Sequence, residues 1–387
     1  MNIYLDYAAS TPLDPRVAAR MIECLTSAEL QGNPASVTHA FGRRARELIE
    51  QARVQVAQAI GATPASIVWT SGATESDNLA LFGAAQFHAD RGKHIISART
   101  EHKAVLEPLK KLEKQGFKVT YLKPDTDGIV QPEQLQAAIT DQTVLVSLMH
   151  VNNETGVIQD IAAMGQLCRT RNVLFHVDAA QSAGRLPIDV NAMHIDLLSL
   201  TAHKIYGPKG IGALYVRRQP TLGLEPMIVG GGHEFGLRAG TLATHQIVGF
   251  GTALQLAIAE CETDNARVST LRERLWQGLQ AVGGVELNGH ITQRVPGILN
   301  VAFQGVEGES LMFALHELAV SAGSACATGS DEASYVLRAL GRSDQLAQSS
   351  LRFSLGRFTT EADIDAALEI VAREVPRLRA LTGQDLP

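Results

Sequence analysis

Cysteine is scarce. Cys24, Cys168, Cys261 and Cys326 are the only four in 387 residues. Their spacing matches no zinc pattern, and a chain of this size needs no disulfide framework, so a reducing cytoplasm is the expected setting. A surplus of positive charge is also missing. The 34 Lys and Arg residues face 40 Asp and Glu, for a net charge of -6, which gives no basis for nucleic-acid binding. No apolar run approaches the roughly 20 residues that span a membrane. Residues 1–7 lack a basic segment followed by an apolar one, so no signal peptide is expected. Internal repeats and low-complexity tracts are absent too. What remains is an ordinary globular composition, 45% hydrophobic and 19% charged, on a chain too long for one typical core. Two domains are expected.

Hydrophobic periodicity organises the chain. Residues 16–28 and 42–60 read as helices, the second with Ala45, Leu48, Ile49, Ala52, Val56 and Ala59 on one face. Largely apolar runs at 67–70, 94–97, 118–122, 144–150, 173–177 and 197–200 predict strands, and 103–115 predicts a helix between two of them. Continuous apolar strands fit a sheet covered on both faces. Their alternation with helices predicts a mostly parallel α/β sheet. Beyond a helical stretch at 245–282 the pattern changes. A strand at 298–303, a helix at 310–318 and an amphipathic helix from Glu361 predict a smaller α+β domain.

The run Leu198-Ser199-Leu200-Thr201-Ala202-His203-Lys204-Ile205-Tyr206-Gly207-Pro208 carries the sharpest chemical signal. A lysine at the mouth of a buried strand is costly unless it has a task. One task is an imine to pyridoxal phosphate (PLP), with Thr201 and His203 near the phosphate. That reading requires an acid at another strand end, facing the pyridine nitrogen. Asp178, after Leu174-Phe175-His176-Val177, meets the requirement, at the sheet edge where α/β folds bind ligands.

Further residues fit the same cofactor. In Ser71-Gly72-Ala73-Thr74-Glu75-Ser76 a strand, a glycine turn and a helix start form an anion site, with Thr74 adding a hydroxyl; a plain helix cap fits the same letters. Gln181 can reach the phenolic oxygen, or be a solvated helix residue. His102 follows a strand and can stack on the ring and relay protons, or be a surface histidine. Asn153, in a glycine-containing turn, can bond cofactor or substrate. Arg352 sits in an alternating, half-buried strand. It can hold a substrate carboxylate by a two-pronged bond or serve an internal salt bridge. Cys24, Cys168 and Cys261 read as small helix residues. Cys326 lies among Ala, Gly, Ser and Thr, where a loop can carry an exposed thiolate to a substrate, or is an incidental loop cysteine.

These segments, together with Thr100-Glu101-His102-Lys103-Ala104-Val105, His203-Lys204-Ile205-Tyr206-Gly207-Pro208-Lys209-Gly210 and Ser321-Ala322-Gly323-Ser324-Ala325-Cys326, resemble the NifS/IscS-type cysteine desulfurases of the class V aminotransferase family, best in the IscS-like branch. The likeness runs from Tyr4 to about Leu378. It implies a fold-type I PLP-dependent transferase acting as a homodimer. A large domain, residues 15–255, would carry a mostly parallel seven-stranded sheet. Residues 1–14 and 256–387 would form the small domain with the Cys326 loop. Lys204 would bear the cofactor and Asp178 would face its ring. His102 would stack on the ring, and Asn153 and Gln181 would contact the cofactor. Ala73, Thr74, Thr201 and His203 would bind phosphate, and Thr241 would reach the phosphate of the neighbouring subunit. Arg352 and Asn153 would bind the substrate. L-cysteine would give L-alanine and a persulfide on Cys326, passed on to an iron–sulfur scaffold or another sulfur acceptor. No metal is implied.

Three departures from the family stand out: Thr201-Ala202 where Ser-Gly is common, Phe235 where a basic residue is frequent, and Ala327-Thr328-Gly329 where serine is usual. The chain stops at Pro387, soon after its last helix, which leaves room for a different acceptor. A selenocysteine or β-eliminating lyase, and an idle docking partner, are the competing readings.

Overall fold

The computed structural model describes residues 3–219, 222–322 and 333–382. A seven-stranded sheet dominates it. In spatial order the strands are Ile67–Thr70, Gly212–Val216, Leu197–Thr201, Leu174–Asp178, Thr143–Met149, His94–Ala98 and Lys118–Leu122. The last five named run parallel, and Gly212–Val216 is antiparallel to both its neighbours. Six of the seven were legible as apolar runs. The seventh, Gly212–Val216, is a short Gly-Ala-Leu-Tyr-Val segment that its own pattern does not announce. It is wholly buried because helices cover both sheet faces. One core holds Ile49, Val56, Trp69, Phe175, Leu198 and Phe250. The other holds Leu81, Leu109, Leu145, Leu174 and Leu214.

The stretch expected as one helix at 245–282 is two, Thr244–Ala259 and Cys261–Ala281. The break falls at Glu260, whose carboxylate pairs with Arg16 and with Arg357. A second, antiparallel sheet runs Ser321–Ala322, Ser350–Ser354, Ile298–Phe303, Val285–Leu287. It packs with the helices Cys261–Ala281 and Glu361–Thr382 over a separate core containing Leu271, Val301, Phe353 and Val371. The N-terminal arm belongs to this second unit: Ile3–Tyr4 pairs with Leu318–Ala319, and Leu5 and Leu299 share its core. The arm then crosses to the large sheet, where the Thr11 amide donates to the carbonyl of His203 at 2.8 Å. No helix among the described residues is long and apolar enough to cross a membrane.

Candidate active site

A cavity of about 830 Å³ opens between the two sheets. Its floor is the C-terminal edge of the parallel strands, at Met149, Asp178 and Thr201. The other walls are the helix start at Ala73 and Thr74, the arm at Ala8 and Ser10, and Ser321 and Arg352 of the second sheet. Ten sequence-expected residues line it or stand at its edge: Ala73, Thr74, His102, Asn153, Asp178, Gln181, Thr201, His203, Lys204 and Arg352. Thr241 does not line it and is exposed. Cys326 lies outside the described residues.

The helix Ala73–Phe87 starts at Gly72, where φ is +154°, a conformation that L side chains rarely adopt. A side chain at Gly212 would strike the Gly72 backbone at 2.6 Å, so glycine at both positions lets strand and turn close up. The first turn of the helix, at Ala73, Thr74 and Glu75, lines the cavity, and a helix N-terminus there suits a phosphate. The capping alternative is not realised, since the cap is Gly72 and no side chain caps the helix; Glu75 instead accepts from the Ser71 amide at 2.7 Å and from Arg238 Nε at 2.9 Å. Thr201 ends its strand beside Gly72. Ala202 fits because its methyl faces Gly207, where any side chain would come within 2.9 Å of it.

Burial pushes the Lys204 amine down to about 8. Asp178 opposes that fall, while Arg352 and Arg185 add to it. An amine poised there is available as a nucleophile and base near neutral pH. The Ala180 amide donates to Asp178 Oδ1 at 2.8 Å and orients that carboxylate toward the cavity. His102 caps the helix Lys103–Lys114. Its Nδ1 accepts from the Ala104 amide at 3.1 Å, and burial and Lys204 hold its basicity down. The Ala104 bond occupies Nδ1 as an acceptor and leaves Nε2 as the nitrogen able to carry a proton. His203 is lowered to about 4, by burial first and by Lys204 and Lys209 after it.

Arg352 makes the internal salt bridge that was one of its two readings. Nη2 donates to Asp6 Oδ1 at 2.8 Å and to Ser321 Oγ at 3.0 Å, and Nη1 donates to the carbonyl of Asn153 at 2.8 Å. Among the described residues its buried Nε has no partner, nor does Asn153 Oδ1. Buried polar atoms without partners are rare. Here a donor and an acceptor remain for a bound molecule that carries both a carboxylate and an N–H.

Sequence reading missed Asp6, Ser10, Arg185 and the carboxylates beneath the floor. Asp77 is fully buried with neither oxygen hydrogen-bonded, 3.6 Å from His176 Nε2. His176 in turn spans Ser147 Oγ at 2.8 Å and Ser199 Oγ at 2.9 Å. Asp77 had a signal, an acid on the apolar face of a helix. Asp6 and Arg185 had none, because their partners are fixed only by folding. No cluster of metal-ligating side chains occurs among the described residues.

The residues present fit PLP: an anion cradle, an isolated amine, an acid opposite and an imidazole at the rim. Residues 3–367 match the family model for aminotransferase class-V. The cysteine desulfurase IscS of Shewanella sediminis (strain HAW-EB3) is 58% identical over 382 residues, 99% of this chain and 95% of that protein. A solved NifS-like protein superposes with a TM-score of 0.91 at 35% identity, covering 98% of this chain and all of that one. SspA in complex with cysteine superposes with a TM-score of 0.82 at 38% identity, over 93% of this chain and all of that one. With its fold and sequence both matching theirs, the chain belongs to the class-V aminotransferases and, among them, to the cysteine desulfurases.

Proposed function

We infer that this chain is a PLP-dependent cysteine desulfurase that takes sulfur from L-cysteine, releases L-alanine and leaves a persulfide on Cys326. The observation that carries the reading is the meeting of Lys204, Asp178, His102, Arg352 and the Ala73 helix start around one cavity. Bound PLP supplies an electron sink for bond breaking next to the substrate Cα. Ala73, Thr74, Thr201 and His203 hold its phosphate, and Asp178 keeps its ring nitrogen protonated. Asn153 and Gln181 fix its edge, and His102 covers its face. Lys204 would be its attachment point, and the same amine, lowered by burial, would serve as the base that moves the Cα proton. Arg352, with Asn153, orients the substrate carboxylate.

The Cys326 thiolate attacks the substrate sulfur. The new S–S bond forms as the C–S bond breaks, and the carbon fragment gains a proton and leaves as alanine. Thiol plus thiol becomes persulfide plus alanine, so no outside oxidant is needed.

The domains divide as 15–255 and as 1–14 with 256–387, in keeping with the two separate cores. The chain works as a homodimer in which Thr241, exposed here, completes the partner's phosphate site. A sulfur acceptor, an iron–sulfur scaffold or another carrier, removes the persulfide in a reducing cytoplasm. Sulfide release from L-cysteine with a thiol reductant tests the reading. The parent should release sulfide, and Cys326→Ala should bind PLP while releasing almost none. Equal activity in both would overturn the persulfide step and favour a simple lyase.

A further inference from the structure

Arg185 is a half-buried guanidinium beside the cavity, and among the described residues no carboxylate lies within ion-pair distance of it. An arginine kept for structure usually has such a partner. Arg185 spends its donors elsewhere. Nη1 donates to Gln181 Oε1 at 2.6 Å and to the Gln181 carbonyl at 3.3 Å, and Nη2 donates to the Lys204 carbonyl at 3.1 Å. Its own carbonyl is pinned by Asn265 Nδ2 at 2.8 Å. The turn before it passes through Gly184 at φ +70°, where a side chain would strike Ala257 at 2.7 Å. The guanidinium is thus held rigidly against both Gln181 and Lys204.

A glutamine amide has an acceptor end and a donor end, and only its surroundings decide which faces where. Arg185 has donors only, so it captures Oε1 and turns Nε2 away. In this structure Nε2 donates to the carbonyl of Ala8, at the cavity wall, at 2.8 Å. We propose that Arg185 is a positioning residue that locks the Gln181 amide so that it offers an N–H, never a carbonyl, to the phenolic oxygen of bound PLP. The proposal rests on the PLP reading above.

A fixed donor at the phenolic oxygen steadies its negative charge. It thereby weakens the hold of the adjoining Lys204-derived nitrogen on its proton. The other charged and titratable groups around Lys204 are Asp178 on its strand, Arg352 on the facing strand, Asp77 and His102 at two helix starts, and His203 next in sequence. Arg185 also acts on Lys204 through its own charge, an effect that does not pass through Gln181.

The experiment is a pH titration of the visible cofactor band in the PLP-loaded protein, with no substrate present. Arg185→Met should raise the midpoint by about one pH unit, a tenfold change in proton affinity. Arg185→Lys, which keeps one donor, should return most of the way to the parent. In a Gln181→Leu background, Arg185→Met should add a much smaller shift, the part that the charge alone contributes, as expected when one residue acts mainly through the other. A midpoint unmoved by Arg185→Met would overturn the proposal. So would an equal shift in the Gln181→Leu background, since Arg185 would then act by charge alone. A parent with no visible band would overturn the PLP reading itself, and this proposal with it.

Discussion

Asp6 accepts a hydrogen bond from Arg352 at 2.8 Å across 346 residues of chain. The pair joins the N-terminal arm to the second sheet at the rim of the cavity. The guanidinium expected to take the substrate carboxylate already has an anion beside it.

That pairing makes Asp6 a brake on substrate binding. Asp6→Asn keeps a hydrogen-bond acceptor and removes the competing charge. KM for L-cysteine should fall by about threefold, worth roughly 0.7 kcal/mol, with little change in kcat. Arg352→Ala should raise KM by about a hundredfold, the loss of one or two charge-assisted hydrogen bonds. Steady-state kinetics checks both. An unchanged or higher KM in Asp6→Asn would show that the pair is purely structural.

Acid should destabilise the protein through its buried histidines. His150 and His176 are pushed down to about 4, in each case chiefly by burial. An unfolded histidine titrates near 6.5. Between those values the unfolded chain binds more protons, so stability is full above about pH 6.5 and falls as pH drops toward 4. Each group contributes on the order of 2–3 kcal/mol over that window. Denaturant midpoints at several pH values, for the parent and for His176→Gln, measure it. The variant should lose less stability on acidification, and parallel curves would refute the assignment.

Asp77 acts in the opposite direction. Burial first, and then the nearby charge of Asp178, raise it well above the ordinary carboxylate range. The folded state therefore holds a proton that the unfolded chain gives up near pH 4. Stability from this group is full below that pH and declines as pH rises toward the raised value. Asp77→Asn fills the same space without the ionisation. Its melting temperature should match or exceed the parent's at pH 8 and compare least favourably at pH 4. A variant that melts lower by the same amount at every pH would mean that Asp77 is ionised and paired in the fold.

Arg53 and Glu234 form a two-pronged pair with both bonds at 2.8 Å, and each side chain is at most 4% exposed. Glu234 also accepts the Trp69 amide at 2.8 Å. The pair clamps a turn in which Glu234 and Phe235 both have positive φ, +48° and +60°, a cost for residues other than glycine. Phe235, the departure from the family, stacks on Arg218 at 4.4 Å and is half exposed. Arg53→Ala leaves a buried carboxylate alone and should cost about 3–5 kcal/mol, read from the denaturant midpoint at constant slope. A cost under about 1 kcal/mol would mean that the turn holds itself.

Local pattern made much of this protein legible. Strands of a sheet covered on both faces are largely apolar, so six of the seven announced themselves. The motifs around Ala73, His102, Asp178 and Lys204 were readable for a related reason: each follows a strand end, where a polar residue after an apolar run stands out. The seventh strand and the break at Glu260 were not readable from local pattern, because each depends on a partner distant in sequence, and the place of the arm in the small domain came from the family resemblance alone.

The sequence by itself determined the sheet, the cofactor chemistry and the family, since those depend on residue types at short spacing. Only the tertiary structure decided that Asp6 shares Arg352, that Asp77 lies unpaired beside His176, and that Arg185 turns the Gln181 amide. Those relations are set by short distances between side-chain atoms, 2.8 Å for Arg352 and Asp6, 3.6 Å for His176 and Asp77 and 2.6 Å for Arg185 and Gln181, which only the folded chain fixes.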